Sequence, residues 1–363
     1  MSCFSKILLN DKEYISLQDA VKTQNSPIGA IGLNDINKLY VIHSLCQNLG
    51  KKAFVIVPDE AAAIKAVEDL NAFGSKAIIY PRREFTFLDV EGISREFEHI
   101  RLGVLSKIIK GDYDIAVASV GAASQMTMPP QILKDSSFTI SAGEEINVDE
   151  TIKKLIAAGY TRFDQVDSTS QFSVRGGLID IFPPGADDPV RIELWGDTID
   201  SIAKFDISTQ RRGNMVDSID IIPSSEVLFK SKEEQAKKID KLASSLKGKA
   251  IKAREKLYAD SDRLKQGLSL HCNDKYIPLA YDSNGIFDYD TDLLFICESG
   301  KCKERSINQN KLMLEDIKWL LQDGIICNGI DKFNLDFDDI KSIYEKHNAV
   351  YLDSFARGSF DTA

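Results

Sequence analysis

The sequence predicts an α/β protein built on one parallel sheet, which is interrupted by an α+β unit and a helical insert. Short apolar runs alternate with helical patterns near both ends of the chain, as in parallel sheets with buried strands. Between them the pattern changes to period two with hairpins, and then to a charged helical stretch. We therefore expect an α/β domain over 1–137 and 286–363, an α+β domain over 138–229 and a helical insert over 230–285.

Composition limits the classes of function. The chain has 363 residues, more than one typical domain, and its net charge of −10 argues against a surface for nonspecific nucleic-acid binding. Its six cysteines include no CxxC pair, which disfavours a zinc site and indicates reduced thiols in a cytoplasmic protein. Charged residues interrupt the first apolar run, so we expect no signal peptide, and no stretch is long enough to span a membrane.

The first predicted strands are short, continuous apolar runs. They are Ala53–Val57, Ala77–Tyr80 and Ile115–Ala118. Two capped helices are predicted between them, because apolar residues recur there at helical spacing. Asp59 begins the first, with Ile64, Val67 and Leu70 on one face; Ser94 begins the second, with Phe97, Ile100, Val104 and Ile108.

The segment Gly29–Lys38 (GAIGLNDINK) has the glycine spacing of a phosphate-binding loop, at Gly29 and Gly32. A working loop continues with Gly-Lys-Ser/Thr, whose lysine neutralises phosphates and whose hydroxyl holds Mg²⁺. Here those places are taken by Asn34, Asp35 and Ile36, and Lys38 lies too far along. We therefore expect a structural turn that does not hydrolyse ATP.

The middle segment is predicted to contain a capped helix near Val148 and then several strands. The strands are Phe163–Val166, Phe172–Phe182, Val190–Leu194, Ile199–Phe205 and Ile219–Ile222, with a turn at Gly196–Asp197. Gly176 and Gly177 predict a bend or bulge within the second strand. The segment carries eight basic and sixteen acidic residues, which favours a protein partner over a phosphate backbone.

Three arginines, Arg162, Arg175 and Arg191, stand against that acidic background. Arginine is favoured at the centres of protein interfaces because its planar fork makes bidentate pairs. The alternative is a set of salt bridges within the domain, to Asp180, Glu193 or Asp206.

After the charged helical stretch Lys230–Gly267, the α/β pattern resumes with strands Leu293–Cys297 and Ala349–Leu352. Between them lies an amphipathic helix containing Met313, Ile317, Leu320 and Leu321. A motor protein ends the equivalent of the first strand in Asp-Glu, which positions Mg²⁺ and water. Here Cys297 replaces the aspartate and Glu298 stands alone, so both halves of a nucleotide site are altered.

Four segments together resemble a known family. They are GYTRFDQV (Gly159–Val166), FSVRGGLIDIFPP (Phe172–Pro184), RIELWGDTIDSI (Arg191–Ile202) and FDISTQR (Phe205–Arg211), with a weaker likeness at SREFEHIRLGVLS (Ser94–Ser106). The ordered match is similar to the UvrB-homology region shared by UvrB and the bacterial transcription-repair coupling factor, Mfd. The altered motifs, and the lack of a tyrosine-rich hairpin after Tyr80, fit the N-terminal region of the coupling factor.

The resemblance implies a degenerate RecA/helicase-like α/β domain (UvrB 1A-like), an α+β UvrA-binding domain (UvrB domain 2-like) and a helical insert (UvrB 1B-like). It implies a non-catalytic module that recruits UvrA and helps to restrain the full-length protein. RNA polymerase and double-stranded DNA would be bound by parts of a longer protein beyond this chain, as would the ATP and Mg²⁺ of its motor. No cofactor is implied for this region.

The resemblance also implies site residues. The UvrA-binding positions are Arg162, Arg175, Phe182, Arg191 and Glu193, with Asp180 close by; the degenerate nucleotide positions are Gly29, Gly32, Asn34, Asp35, Ile36 and Glu298. Phe182 is equally compatible with a core position. Two other functions stay open: a UvrB-like ATP-dependent helicase that uses Lys38, and a DNA-binding module that uses a basic set of Arg82, Arg83, Arg95 and Arg101.

Overall fold

The computed structural model describes residues 8–23, 28–88, 95–247, 250–270 and 272–355. Its strands form two six-stranded sheets and one two-stranded sheet. In chain order they are β1 (Ile28–Ile31), β2 (Ala53–Val57), β3 (Ala77–Tyr80), β4 (Ile115–Ser119), β5 (Phe138–Ser141), β6 (Thr161–Arg162), β7 (Gln171–Arg175), β8 (Leu178–Ile181), β9 (Val190–Trp195), β10 (Thr198–Phe205), β11 (Arg212–Met215), β12 (Ser218–Ile221), β13 (Leu293–Cys297) and β14 (Val350–Asp353).

The α-helices of the described residues lie before and between these strands. They are α1 (Lys12–Thr23), α2 (Asp35–Leu49), α3 (Glu60–Ala72), α4 (Glu96–Lys110), α5 (Val120–Ser124), α6 (Pro130–Asp135), α7 (Val148–Ala157), α8 (Lys232–Ser245), α9 (Ile251–Lys265), α10 (Ile277–Ala280), α11 (Ser299–Gln322) and α12 (Phe337–Lys346). None of them is long and apolar enough to cross a membrane.

The first large sheet is entirely parallel, in the order β1-β14-β13-β2-β4-β3. Strands from both ends of the chain therefore meet in one sheet, which confirms the prediction of a parallel sheet interrupted by other units. Its central strands are buried on both faces: Phe54 and Ile56 pack into one apolar cluster, and Val55 and Val57 into the other. That two-sided burial explains their continuous apolar sequence.

The second large sheet has the order β11-β10-β9-β8-β7-β6 and is antiparallel except for β6 with β7. One face packs with α7 and with the small β5–β12 sheet around Leu155, Phe172, Ile179 and Ile192. The opposite face carries charged side chains beside a small apolar cluster of Val166, Phe182 and Phe205, so this sheet has a core side and an outer side.

Several sequence predictions need correction. Phe163–Val166 is not a strand, since β6 ends at Arg162, and Phe172–Phe182 is a hairpin rather than one bent strand. Gly176, with φ of +58°, occupies the left-handed region that glycine favours, and it turns β7 into β8. β1, β5 and β11 were not predicted. Ile64 and Phe97 are exposed, whereas Ser94 lies outside the described residues.

Candidate functional sites

The outer side of the second sheet carries a cluster that we call the arginine face: Arg175, Asp180, Arg191, Glu193 and Arg212. Strand register places Asp180 directly opposite Arg191. The Asp180 carboxylate is fully buried and accepts hydrogen bonds from Arg175 Nη2 at 2.8 Å, Arg191 Nε at 2.7 Å and Arg191 Nη2 at 2.8 Å. A buried carboxylate is thus neutralised by two guanidinium groups that it orients in turn.

The two arginines differ in exposure. The Arg175 side chain is 46% exposed, whereas Arg191 is 16% exposed and also donates to the Gln210 side chain at 3.2 Å. The Arg191 guanidinium lies 4.7 Å from the Phe205 ring centroid. Both arginines therefore form the salt bridges within the domain that the alternative predicted. Arg175 nevertheless has about half of its side chain open to a partner.

Glu193 joins the same face through Arg212, a residue that the sequence did not single out. Arg212 Nη1 lies 3.1 Å from both Glu193 carboxylate oxygens, and its Nη2 donates to Ser201 Oγ at 2.7 Å. Arg212 lies on β11, whose Arg-Gly-Asn-Met sequence lacks an apolar alternation. Only the pairing of β11 with β10 identifies Arg212 as part of this face.

Phe182 and Arg162 lie apart from these contacts. Phe182 is only 7% exposed and packs with Val166 and Phe205, so the core alternative describes it and it offers no side-chain surface to a partner. Arg162 lies exposed on β6, the edge strand beside β7, and makes no ion pair within the described part of the chain. The structure therefore groups Arg175, Asp180, Arg191 and Glu193 and leaves Arg162 outside the cluster.

A second cluster, the sheet-end cluster, lies at the carboxyl end of the parallel sheet: Asp35, Lys38, Glu298 and Ser354. Lys38 is 1% exposed although it is a lysine. Its Nζ donates to Asp35 Oδ1 at 3.0 Å, to Ser354 Oγ at 2.8 Å and to Glu298. Because an ammonium group has three N–H donors, these partners use its full hydrogen-bonding capacity.

Glu298 is the centre of this cluster. Burial by itself would raise the Glu298 pKa, but hydrogen bonds from Lys38 and Ser354 and the Lys38 charge lower it to about 2. Burial likewise opposes the charge of Lys38, yet Glu298 and Asp35 raise the Lys38 pKa above its ordinary value. The two groups therefore form a closed ion pair at ordinary pH, between residues that are 260 positions apart.

The glycine-spaced segment forms part of a strand and a helix start. Gly29 belongs to β1, and Gly32, with φ of +91°, follows that strand and donates to Asp353 O at 3.0 Å. Asn34 caps α2 by accepting a hydrogen bond from Asn37 N at 2.9 Å. Ile36 is half exposed. The sequence thus forms an ordinary strand–helix connection, and Lys38 points to Glu298.

Half of the basic set proposed for DNA binding is buried: Arg82 and Arg95 are exposed, whereas Arg83 and Arg101 are not. Arg83 is 4% exposed and Arg101 is fully buried, and both form ion pairs with Glu226, at 3.0 and 2.6 Å. Arg83 also pairs with Asp274 at 3.2 Å, and Arg95 pairs with Glu98 at 2.7 Å. The prediction of an exposed basic patch is wrong for Arg83 and Arg101, because their charges are neutralised inside the molecule.

Comparisons with known proteins bear on both clusters. A family model described as "UvrB interaction domain" matches residues 138–227, which include the whole arginine face. The transcription-repair-coupling factor of Bacillus subtilis (strain 168) is 32% identical over 341 residues, covering 90% of this chain and 29% of that protein. Those of Staphylococcus aureus (strain USA300) and Myxococcus xanthus are 25% and 28% identical, covering 98% and 72% of this chain. The chain spans less than a third of the length of these curated relatives.

Proposed function

We propose that this chain, which is similar to part of the transcription-repair-coupling factors and contains a match to the UvrB interaction domain, is a docking module for the excision-repair protein UvrA. In this proposal the arginine face binds UvrA, so that the longer protein recruits UvrA to DNA where RNA polymerase has stalled. In this proposal, parts of the longer protein beyond this chain bind RNA polymerase and duplex DNA and carry out the ATP-driven translocation.

The observation that carries the proposal is the position of the arginine face within residues 138–227. Its exposed guanidinium, Arg175, is held by a fully buried carboxylate, so little side-chain freedom is lost when a partner binds it. Partly exposed arginines held in a fixed orientation are frequent centres of binding energy at protein interfaces. The net charge of the surrounding segment disfavours a nucleic-acid ligand for the same surface.

We further propose that this chain does not hydrolyse ATP. A phosphate loop needs an available lysine and a hydroxyl for Mg²⁺. In this chain Lys38 is committed to three protein oxygens, and Asp35 places a negative charge at the first turn of α2. The UvrB-like helicase alternative requires Lys38 to leave Glu298, which would leave this largely buried carboxylate with only the half-exposed Lys301 as a cationic partner.

The test is titration of purified UvrA with the wild-type chain and with Arg175→Ala. We expect the dissociation constant to rise about tenfold or more in the variant, as is typical when an interface hot spot is truncated. Arg305→Ala is the matched control, because Arg305 is a 58% exposed arginine in a salt bridge with Asp59, outside residues 138–227. Equal affinity of all three chains would remove the arginine face from the interface, and absence of binding by the wild type would remove UvrA as the partner.

A further inference from the structure

Trp195 is the most exposed apolar residue of the second sheet. It is 83% exposed, at the point where β9 turns through Gly196 and Asp197 into β10. Its indole N–H donates to no residue in the described ranges. A tryptophan that is almost fully in water costs free energy unless a partner covers it, and tryptophan is among the residues most enriched at interface hot spots.

Trp195 lies on the outer side of the sheet, together with the arginine face. Along β9, Val190, Ile192 and Leu194 point to the core side. Alternation in a strand therefore places Arg191, Glu193 and Trp195 on the opposite side. Glu193 is paired with Leu178 on the hairpin that carries Arg175. Trp195 is therefore the next outward-facing residue along β9 after Glu193.

The charges around Trp195 indicate what kind of surface would cover it. The arginine face contains three guanidinium groups and two carboxylates, and both carboxylates already accept from arginines at 3.1 Å or less. One positive charge is thus left over on this face, although residues 138–229 as a whole carry a negative net charge. A partner that places carboxylates beside Arg175 and Arg212 would be attracted locally and oriented by this contrast.

We propose that Trp195 is the apolar anchor of the docking surface, inserting into an apolar pocket of the partner that is bordered by carboxylates. This inference rests on the proposed function and deepens it, because it adds to the arginine face the residue that supplies buried apolar area. Arg175 and Arg212 then pair with the rim of the pocket, while Trp195 fills its centre. An arrangement of a buried aromatic anchor inside a polar rim is the usual anatomy of a protein interface.

The experiment compares UvrA binding by Trp195→Ala, Trp195→Phe and Trp319→Ala. Trp319 is the matched control, since it is 51% exposed on α11, outside residues 138–227. We expect Trp195→Ala to weaken binding about 30-fold or more, the loss typical of a hot spot. Trp195→Phe should retain most of the affinity because a ring still fills the pocket. Unchanged binding by Trp195→Ala would overturn the inference.

A second measurement reports on the side chain directly. The wild-type chain is labelled with 5-fluorotryptophan, its two ¹⁹F resonances are assigned with the single variants, and unlabelled UvrA is added. We expect the Trp195 resonance to shift and broaden strongly, while the Trp319 resonance keeps its chemical shift. Binding that leaves the Trp195 resonance in place would contradict the anchor yet leave the proposed function standing. If Arg175→Ala also leaves UvrA binding unchanged, that result would contradict both the Trp195 anchor and the proposed function.

Discussion

Single residues at both clusters show how this protein handles buried charge. Asp180 is fully buried on an otherwise outer, polar side of a sheet, and it is tolerated because two arginines donate to it. Lys38 is nearly as buried, and it is tolerated because Glu298, Asp35 and Ser354 accept from it. In both cases removal of one partner leaves a buried charge that is only partly compensated, which is destabilising.

Asp180→Asn tests the arginine face at the scale of one carboxylate. The variant removes the negative charge between Arg175 and Arg191, so we expect the free energy of unfolding to fall by about 3 kcal/mol. UvrA binding should weaken as well, because Arg175 loses its anchor. Urea titration and UvrA titration of the same samples measure the two effects. Asp188→Asn is the control, since Asp188 is half exposed and pairs with Lys204; equal stability of the two variants would contradict the prediction.

The Lys38–Glu298 pair is tested by a double-mutant cycle. Glu298→Leu alone should lower the free energy of unfolding by about 3 kcal/mol, because Lys38 then keeps only the largely exposed Asp35 as an acid partner, and Lys38→Met alone should lower it because Glu298 loses its buried partner. Lys38→Met together with Glu298→Leu should recover much of that loss, since no unpaired charge is left. Losses that simply add in the double variant would show that the two side chains do not interact.

At the scale of elements, α4 connects the parallel sheet to the second sheet. Gly103 of α4 and Gly185 lie so close that a Cβ on Gly185 would come within 3.3 Å of the Gly103 Cα. One turn earlier, the buried His99 ring lies between two hydroxyls, Thr169 Oγ1 at 3.1 Å and Ser170 Oγ at 3.0 Å. The segment after β6 is thus fastened to α4 by the His99 imidazole.

The stability of this contact should depend on pH. Burial lowers the His99 pKa below its ordinary value of 6.5, so the folded chain resists a proton that the unfolded chain accepts. The free energy of unfolding should therefore fall as the pH drops below about 6.5. His99→Gln should flatten that dependence in part, because the buried His43 acts in the same direction. Denaturant titrations at several pH values measure it; parallel curves for the two chains would refute the assignment to His99.

At the scale of the whole molecule, one buried ionic network joins three parts of the chain. Glu226 follows the second sheet and pairs with Arg83 and Arg101, which belong to the parallel-sheet region. Arg83 continues to Asp274, which follows the charged helices α8 and α9. Glu98 of α4 also accepts from the Glu226 backbone N at 2.7 Å. These contacts tie the end of the segment 138–227 to the parallel-sheet region and to the part of the chain that follows α9.

Glu226→Gln should disrupt this connection. The substitution leaves Arg83 and Arg101 with one carboxylate fewer in a fully buried position, so we expect a loss of about 3 kcal/mol in the free energy of unfolding. Calorimetry should show a broader or more divided unfolding transition for the variant than for the wild type, because the parts unfold less cooperatively. UvrA affinity should stay near the wild-type value, because the arginine face is untouched; a parallel loss of affinity would tie the network to the docking surface.

How far the sequence predicted this architecture depends on the range of each interaction. β2, β4 and β13 were predicted because strands buried on both faces are continuous apolar runs. β1 was missed because its glycine suggested a loop, and β11 because an exposed edge strand needs no apolar alternation.

The candidate sites were only partly predictable for a similar reason. The arginines of β7 and β9 stood out locally, but the buried position of Asp180 depends on strand register. The Lys38–Glu298 pair and the Arg83–Glu226 pair join residues far apart in the chain, and local pattern carries no signal for them.

The central claim, that the outer side of the second sheet is where UvrA docks, is tested most directly by hydrogen exchange of the chain with and without UvrA. We predict that new protection is confined to β7–β11 and the turns that carry Arg175 and Trp195, with no change at the sheet-end cluster. Protection centred on α2 and Glu298, with β7–β11 exchanging as in the free chain, would contradict the account.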